Sequence, residues 1–101
     1  MSHTLLQIDF PMSGPWGDEM TAAFGDLAHD IAGEAGLVWK VWTENAETGR
    51  GGGIYVFETT EAAQAYLEKH SKRLEGFGIT GIEAKLFQVN HDLSAITRAS
   101  L

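Results

Sequence analysis

The sequence predicts an α+β domain of the ferredoxin-like type, a βαββαβ plait whose antiparallel sheet carries both helices on one face. Three observations predict this fold class: short segments of alternating or β-branched apolar residues, two longer segments with apolar residues at helical spacing, and glycines at the breaks between them. Short connections and right-handed crossovers make the plait the simplest arrangement of these elements. The 101 residues suit one such domain over residues 1–101.

The first predicted strand is Thr4–Met12. Leu6, Ile8 and Phe10 recur at every second position, and polar residues lie between them. A period of two is typical of a strand with one buried face, because successive side chains point to opposite sides of a sheet. These three apolar side chains therefore define the face on which we expect the helices to pack.

The first predicted helix starts at Pro15, a residue suited to the first helical position, after the break at Ser13-Gly14. It runs to about Ala32, and Gly33 and Gly36 mark its end. Apolar residues repeat along it at helical spacing, so one side of the helix is expected to face the sheet. This stripe consists of Met20, Ala23, Phe24, Leu27 and Ile31.

A hairpin follows the first helix. Leu37–Glu44 and Gly51–Glu58 are rich in β-branched and aromatic residues, which favours two strands. The polar segment Asn45–Arg50 between them is the predicted turn. The glycines that continue from this turn match neither the phosphate-binding loop nor the dinucleotide fingerprint, so we interpret them as a turn that enters a strand.

The second predicted helix is capped by Thr59 or Thr60 and runs to about Glu75. Glycines again mark its end. The last strand is Ile82–Val89, and we expect Asp92 to cap a short terminal helix. This completes the order of four strands and two long helices that the plait requires.

Charge and composition argue against several classes of function. The net charge is −7, which disfavours binding to nucleic acids and to anionic membrane surfaces. The chain has no cysteine for disulfides or thiolate chemistry, and its 4 histidines lack metal-ligand spacing. No apolar segment is long enough to span a membrane, and the N-terminus does not resemble a signal peptide. We expect a cytoplasmic protein with no metal and no cofactor.

The second face of the predicted sheet is apolar as well. Leu37–Glu44 presents to the helices either the set with Trp39 and Val41 or the set with Trp42 and Lys40, and the later strands offer a similar choice. Whichever set packs on the helices, the remaining set leaves an exposed apolar patch, which usually marks an interface. A homodimer that joins the two sheets is the simplest solution. A solvated sheet with scattered aromatic residues is the alternative.

His70 is the residue most suggestive of chemistry. It lies four residues after Tyr66 and four before Leu74 on the apolar stripe of the second helix, so its imidazole is expected to point toward the sheet. A buried imidazole needs a partner or a ligand, and it can serve as acid, base or anion partner. A structural histidine bonded to a neighbour is the alternative. Arg73, one turn later, either flanks the same cavity or pairs with a nearby acid.

Large aromatic residues are frequent for a chain of this length. They are candidates for the wall of a pocket that takes a flat apolar ligand, although packing in the core and in a dimer interface accounts for them equally well. Trp16 lies between two glycines at a helix start, where we expect it to cover the mouth of a cavity. The full set is Trp16, Trp39, Trp42, Tyr55, Phe57 and Tyr66.

Several short blocks, spread over nearly the whole chain, form a combination typical of one family. They are Leu5–Gln7, Gly14–Asp18, Trp39–Glu44, Gly52–Phe57, Ala65–His70 with Arg73-Leu74, and Ala84–Asn90. In this order they resemble the YdhR-like putative monooxygenase family. The combined resemblance is specific, whereas no single block is.

The resemblance implies a dimeric α+β barrel, in which two ferredoxin-like plaits join by their sheets. It also implies membership of the wider antibiotic-biosynthesis-monooxygenase-like group. Members of that group oxidise aromatic polyketides without metal or flavin, or degrade haem with a helix histidine. This sequence has Tyr55 and Phe57 on the strand where related enzymes often carry a tryptophan.

The first functional hypothesis is a cofactor-independent monooxygenase that acts on a small electron-rich aromatic compound, such as a phenol or hydroquinone. His70 would take the substrate proton or stabilise the anion, Arg73 would add positive charge, and Tyr55 would hydrogen-bond the substrate oxygen. The remaining aromatic residues would form the substrate-binding wall. The alternative is a non-catalytic dimer that binds a small molecule, or haem through His70, without turnover.

Overall fold

The computed structural model describes residues 3–101 and confirms the predicted order of strands and helices. The strands are β1 (Thr4–Pro11), β2 (Leu37–Asn45), β3 (Arg50–Phe57) and β4 (Glu83–Gln88). The helices are α1 (Gly17–Ala32), α2 (Thr60–Gly76) and the short α3 (His91–Ile96). The fold is the ferredoxin-like α+β plait with a C-terminal helical turn added.

The four strands form one antiparallel sheet in the order β2-β3-β1-β4. At its centre, Leu6 of β1 pairs with Tyr55 of β3 on one side and with Leu86 of β4 on the other. At the β2 edge, Lys40 pairs with the same Tyr55. Directly paired residues point to the same side of a sheet, so this register decides which side chains face the helices.

The hydrophobic core lies between the sheet and the two long helices. Leu6, Ile8 and Phe10 of β1 are buried there, which confirms the face predicted from their alternation. Tyr66 and Leu74 of α2 are buried in the same cluster. The inward stripe of α2, on which His70 lies, is therefore the one that the sequence predicts.

The start of α1 differs from the prediction, which was wrong by two residues. The helix begins at Gly17 rather than at Pro15, and Trp16 is its N-cap residue. Gly17 has φ +60°, a left-handed conformation that glycine adopts without strain, so the chain turns into the helix only at this residue. Its N–H donates a hydrogen bond to Glu44 Oε1 at 2.8 Å, which ties the helix start to β2.

The two other helix starts have side-chain caps. Thr59, one of the two predicted candidates, caps α2 by accepting a hydrogen bond from a backbone N–H three residues later, at 3.0 Å. The predicted cap of α3 was wrong, because Asn90 rather than Asp92 accepts from the Leu93 N–H, at 3.1 Å. A cap residue directly precedes the first helical residue, His91, so Asp92 already lies in the first turn.

The face of the sheet that points away from α1 and α2, here called the open face, is largely apolar. Val41 and Phe87 on this face are 52% and 50% exposed. The C-terminal residues lie against part of it, because the Trp39 indole N–H donates to the carbonyl of Ser100. The choice that the sequence left open on β2 is thereby decided: Trp42 faces the helices, and Trp39 faces away.

Within residues 3–101, none of the helices combines the length and the hydrophobicity needed to cross a membrane. Over the same residues, no three His, Asp or Glu side chains cluster closely enough to hold a metal ion. Some of the acidic residues form ion pairs. At one end of the sheet, for example, Arg50 pairs with Asp9 at 3.0 Å and with Glu83 at 3.2 Å.

Candidate active site

A cavity of about 630 Å³ lies between the sheet and the two long helices. Gly51 and Gly53 of β3 share the helix-facing side with Tyr55, and the side chains of Met12 and Lys40, which line the cavity, lie over them. The volume is within the range of about 300–1,000 Å³ that is common for small-molecule sites. Most of the lining is apolar. It includes Ile8, Phe10, Met20, Phe24, Leu27 and Leu74.

Three titratable side chains line this cavity in the part of the chain that the structure describes: Lys40, Tyr55 and His70. They come from β2, β3 and α2. Lys40 and Tyr55 meet because they pair across the two strands, and the ring of His70 stands edge-on to Tyr55 with 6.5 Å between centroids. No carboxylate is among the lining residues of the described chain; besides these three groups, the hydroxyls of Ser13 and Thr80 line the wall.

His70 is held in one orientation by Arg73. The Arg73 Nε and Nη2 groups donate to His70 Nδ1 at 3.2 and 3.0 Å, and Nη1 donates to Asp30 Oδ2 at 2.8 Å. The imidazole also stacks on Tyr66 with 5.0 Å between ring centroids. Arginine has no acceptor and stays protonated, so Nδ1 must be the acceptor and the ring proton lies on Nε2. His70 is therefore a hydrogen-bond donor through Nε2.

The surroundings of His70 oppose its protonation. Burial, and then the positive charges of Arg73 and Lys40, lower the pKa of His70 to about 3. The imidazole is 4% exposed. It is consequently neutral over the physiological range of pH, and the Arg73 hydrogen bonds occupy the lone pair that a base would need.

Tyr55 is supported by the aromatic residues behind it. The Tyr66 hydroxyl donates to the Tyr55 oxygen at 3.1 Å, and the ring of Phe57 lies 6.0 Å from Tyr55 and 5.4 Å from Tyr66. Burial, and then the neighbouring Tyr66, raise the pKa of Tyr55 far above its ordinary value, and burial raises the pKa of Tyr66 to about 12. Both phenols are protonated at neutral pH, so Tyr55 is a donor group in the cavity wall.

Lys40 is a cavity residue that the sequence patterns did not single out. Its Nζ lies 3.3 Å from the ring centroid of Trp42 and 4.7 Å from that of Tyr55. Burial, and then the charge of Arg73, lower the pKa of Lys40 to about 7. The sequence contains a pattern from which the position of Lys40 in the cavity could have been predicted. Lys40 and Trp42 are two residues apart on one strand, so a Trp42 that faces the cavity brings Lys40 with it.

The structure brings three of the predicted site residues, Trp42, Tyr55 and His70, to the cavity wall. Trp42 stacks on Phe24 of α1 with 6.3 Å between ring centroids. Arg73 lies behind His70 and does not line the cavity; it holds the imidazole in place by donating to Nδ1. The other two predicted residues of this side, Phe57 and Tyr66, form the layer behind Tyr55.

Trp16 and Trp39 do not line this cavity. Trp16 lies at its rim, where the indole packs so closely over Gly14 that a Cβ there would come within 3.2 Å of Nε1. Trp39 is on the open face, where it lines a second cavity of about 330 Å³ with Leu5 and Leu101. The alternation of residues along β2 separates it from Trp42 by the thickness of the sheet.

The wall of the main cavity is suited to a flat apolar molecule that carries one acidic O–H group. Trp42 and Phe24 offer aromatic surface. Tyr55 and His70 supply neutral donors for an oxygen atom, and Lys40 supplies an amine that exchanges a proton near neutral pH. Donors in an apolar surrounding stabilise an oxyanion more strongly than the same donors in water.

Three solved structures share this fold. SnoaB, a cofactor-independent oxygenase from Streptomyces nogalater, is 18% identical with a TM-score of 0.59, over 88% of this chain and 93% of that one. A putative antibiotic biosynthesis monooxygenase from Deinococcus radiodurans is 13% identical with a TM-score of 0.58, over 86% and 92%. A protein of unknown function from Nitrosomonas europaea is 14% identical with a TM-score of 0.62, over 100% and 95%. At such identities the likeness concerns the fold.

The sequence itself carries the family relationship. No curated protein sequence matches the chain. Residues 5–100, however, match the family described as "Putative mono-oxygenase ydhR". This match covers β1 to α3 and includes the cavity wall with Lys40, Tyr55 and His70. The chain therefore belongs to the ydhR family.

Proposed function

We propose that this protein is a cofactor-independent monooxygenase that acts on a small electron-rich aromatic compound, such as a phenol. The observation that carries the proposal is the composition of the cavity wall. Two neutral donors, Tyr55 and His70, stand beside the amine of Lys40 in a wall that is mainly apolar and aromatic. Family membership and the fold shared with a cofactor-independent oxygenase support the same reaction class.

The reaction balances without an added reductant when the substrate supplies both electrons. A phenol and O2 give a quinone and water: one oxygen atom forms a C=O bond on the ring, and the other leaves as water with two substrate hydrogens. The first requirement is the ionised phenol, because an aryloxide passes an electron to O2 more readily than the neutral phenol does. The site must therefore bind and stabilise an aryloxide.

The residues of the cavity have distinct roles in this proposal. Tyr55 and the Nε2–H of His70 donate to the substrate oxygen, and they stabilise the negative charge that develops on it. Arg73 is a positioning residue, since it fixes His70 in the tautomer that carries the proton on Nε2. Trp42 and Phe24 bind the ring and keep water away from it.

Oxygen uptake tests the proposal. Wild-type protein is mixed with a panel of phenols, hydroquinones and naphthols, and O2 consumption and quinone formation are recorded. We expect one O2 per quinone, with no oxygen returned by catalase, because the second oxygen atom becomes water. His70→Phe, which keeps the ring but removes the donor, should lower kcat by about 100-fold. His29→Phe, an exposed position on α1, is the matched control and should leave kcat unchanged.

Two other results would contradict this function. If phenols raise the melting temperature of the protein but no O2 is consumed with any of them, the protein is a binding protein rather than an oxygenase. Haem binding through His70 is the other alternative. A ligating nitrogen must be free of its proton while the other nitrogen donates, which is the reverse of the arrangement that Arg73 imposes. A haem Soret shift that is absent in His70→Phe would overturn our reading of this hydrogen bond.

The proposal includes a homodimer joined through the open face. The half-exposed Val41 and Phe87 support it, because an apolar sheet face is costly to leave in water. The C-terminal residues lie against Trp39, and Val41 and Phe87 stay half-exposed beside them. Such a dimer leaves the cavity within each subunit, on the other side of its sheet.

A further inference from the structure

We propose that Lys40 is the base of this site: its amine takes the proton of a phenolic O–H group, and the resulting ammonium pairs with the aryloxide. The inference rests on the proposed function, since it names the group that ionises the aromatic substrate. In the step, the O–H bond of the phenol breaks and an N–H bond forms on Nζ. No oxidant or reductant takes part, because only a proton moves.

Within the described chain, Lys40 is the one titratable group of the cavity whose state suits a base. Among the described residues that line the cavity, Lys40, Tyr55 and His70 are the titratable ones. His70 is unsuited to be the base, because Nδ1 accepts from Arg73 and Nε2 carries the ring proton. Tyr55 is unsuited too, because its burial beside Tyr66 holds its phenol in the protonated form. The amine of Lys40 remains.

The fold provides a space for the Lys40 side chain. Lys40 lies across the neighbouring strand, over Gly53, where a Cβ would come within 2.6 Å of the lysine Cε. A larger residue than glycine would push the amine out of its place between Trp42 and Tyr55. Gly53 lies opposite Trp42 on β3, and because glycine has no side chain it leaves room for the lysine stem.

The amine of Lys40 has no negative charge beside it in the described chain. In the described chain no carboxylate lies at ion-pair distance from Lys40, although Lys69, Lys72, Arg50 and Arg73 all have one. Trp42 from its own strand and Tyr55 from β3 contact the amine, and His70 of α2 lines the same cavity with Arg73 behind it. The residues that line the cavity from β1 and α1 carry no charge. A half-buried lysine without a counter-ion can gain one, and an aryloxide in the cavity would be that counter-ion.

The test measures the ionisation of a bound phenol, without any turnover. The probe is 4-nitrophenol, whose ionised form has its own visible absorption band. The probe is titrated with pH when free and when bound to wild-type protein, to Lys40→Met and to Lys72→Met. Lys72 is a surface residue on α2, paired with Glu68 at 3.6 Å, and it serves as the matched control. Thermal unfolding of each variant establishes that it is folded.

We expect wild type and Lys72→Met to lower the pKa of the bound probe below that of the free probe. In Lys40→Met the pKa of the bound probe should be higher than in wild type by about one unit or more, which is a tenfold loss of ionisation. If wild type binds the probe without lowering its pKa, or if folded Lys40→Met lowers it equally, the inference about Lys40 is overturned and the oxygenase proposal stands. If no phenol binds wild type, as judged by thermal shift, the proposed function fails and the inference fails with it.

Discussion

The Arg73 guanidinium donates two hydrogen bonds to His70 Nδ1, at 3.0 and 3.2 Å, from one turn further along α2. This contact fixes the tautomer of the inward histidine and makes it a donor rather than a base. It also adds a positive charge beside a buried imidazole. Asp30 binds the same guanidinium at 2.8 Å and so holds it in this position.

Replacement of Arg73 by methionine should raise the pKa of His70. The Arg73 charge is, after burial, the second cause that lowers this pKa to about 3, so its removal should shift the titration toward the ordinary value without reaching it. NMR titration of the imidazole signals measures the pKa directly. Arg98→Met, near the C-terminus, is the control. An unchanged pKa of His70 in Arg73→Met would contradict the contact described above.

The pH dependence of stability should reveal His70 as well. The pKa of His70 is lower in the folded protein than the value of about 6.5 in the unfolded chain, so the unfolded state binds more protons between these two values. The contribution of His70 to the free energy of unfolding is therefore lost as the pH falls from 6.5 toward 3. The loss approaches about 1.4 kcal/mol per pH unit.

Urea unfolding of wild type and His70→Phe at several pH values in this range checks the prediction. The difference in unfolding free energy between the two proteins should shift in favour of the variant as the pH falls, because phenylalanine has no proton to bind. His29→Phe should follow the wild type over the whole range. A constant difference between wild type and His70→Phe would mean that the imidazole titrates normally in the folded state.

The contribution of Lys40 to stability should change with pH above neutrality, whereas that of His70 changes below it. The pKa of Lys40 falls from 10.5 to about 7 on folding, so between these values the unfolded chain binds the additional proton. The wild type should therefore gain stability relative to Lys40→Met as the pH rises from 7 to 10.5. Below pH 7 the amine is charged in both states, and the difference should stay constant. Denaturant unfolding measures it, and a difference that is flat above pH 7 would contradict the lowered pKa.

Substitution of Gly53 by alanine should displace the Lys40 side chain. The new Cβ would lie 2.6 Å from Lys40 Cε and 3.2 Å from the Val41 carbonyl, so the lysine must move. We expect a loss of about 1–3 kcal/mol in unfolding free energy, which is usual for overpacking, and weaker ionisation of bound 4-nitrophenol. Gly76→Ala, where the Cβ meets open space, is the control. Unchanged stability and probe ionisation would show that this residue does not need to be glycine.

A charge on the open face should separate the proposed dimer. Val41→Glu places a carboxylate at a half-exposed position of that face, and burying it between two sheets would be costly. Sedimentation equilibrium should then give a dimer for wild type and a monomer for the variant. Ala22→Glu, an exposed position on α1, should remain dimeric. A wild-type protein that sediments as a monomer would exclude the homodimer.

Much of this architecture was predictable because local patterns are sufficient for it. The alternation of Leu6, Ile8 and Phe10 predicted the buried face of β1, and the spacing of Tyr66, His70 and Leu74 predicted the inward face of α2. Both elements are mainly apolar on one side, so the pattern favours one solution. The errors concerned helix starts, at Gly17 and Asn90, where a single backbone angle or one side-chain hydrogen bond decides the boundary.

The sequence by itself determined the plait, the inward histidine and the excess of aromatic residues. Only the tertiary structure decided that Trp42 enters the cavity and Trp39 the open face, and hence that Lys40 is a site residue. The physical reason is that β2 carries apolar residues on both sides, so its period of two does not choose between them. The register of β2 against β3 makes that choice, because it pairs Lys40 with Tyr55 and Trp42 with Gly53 on the side that faces the helices.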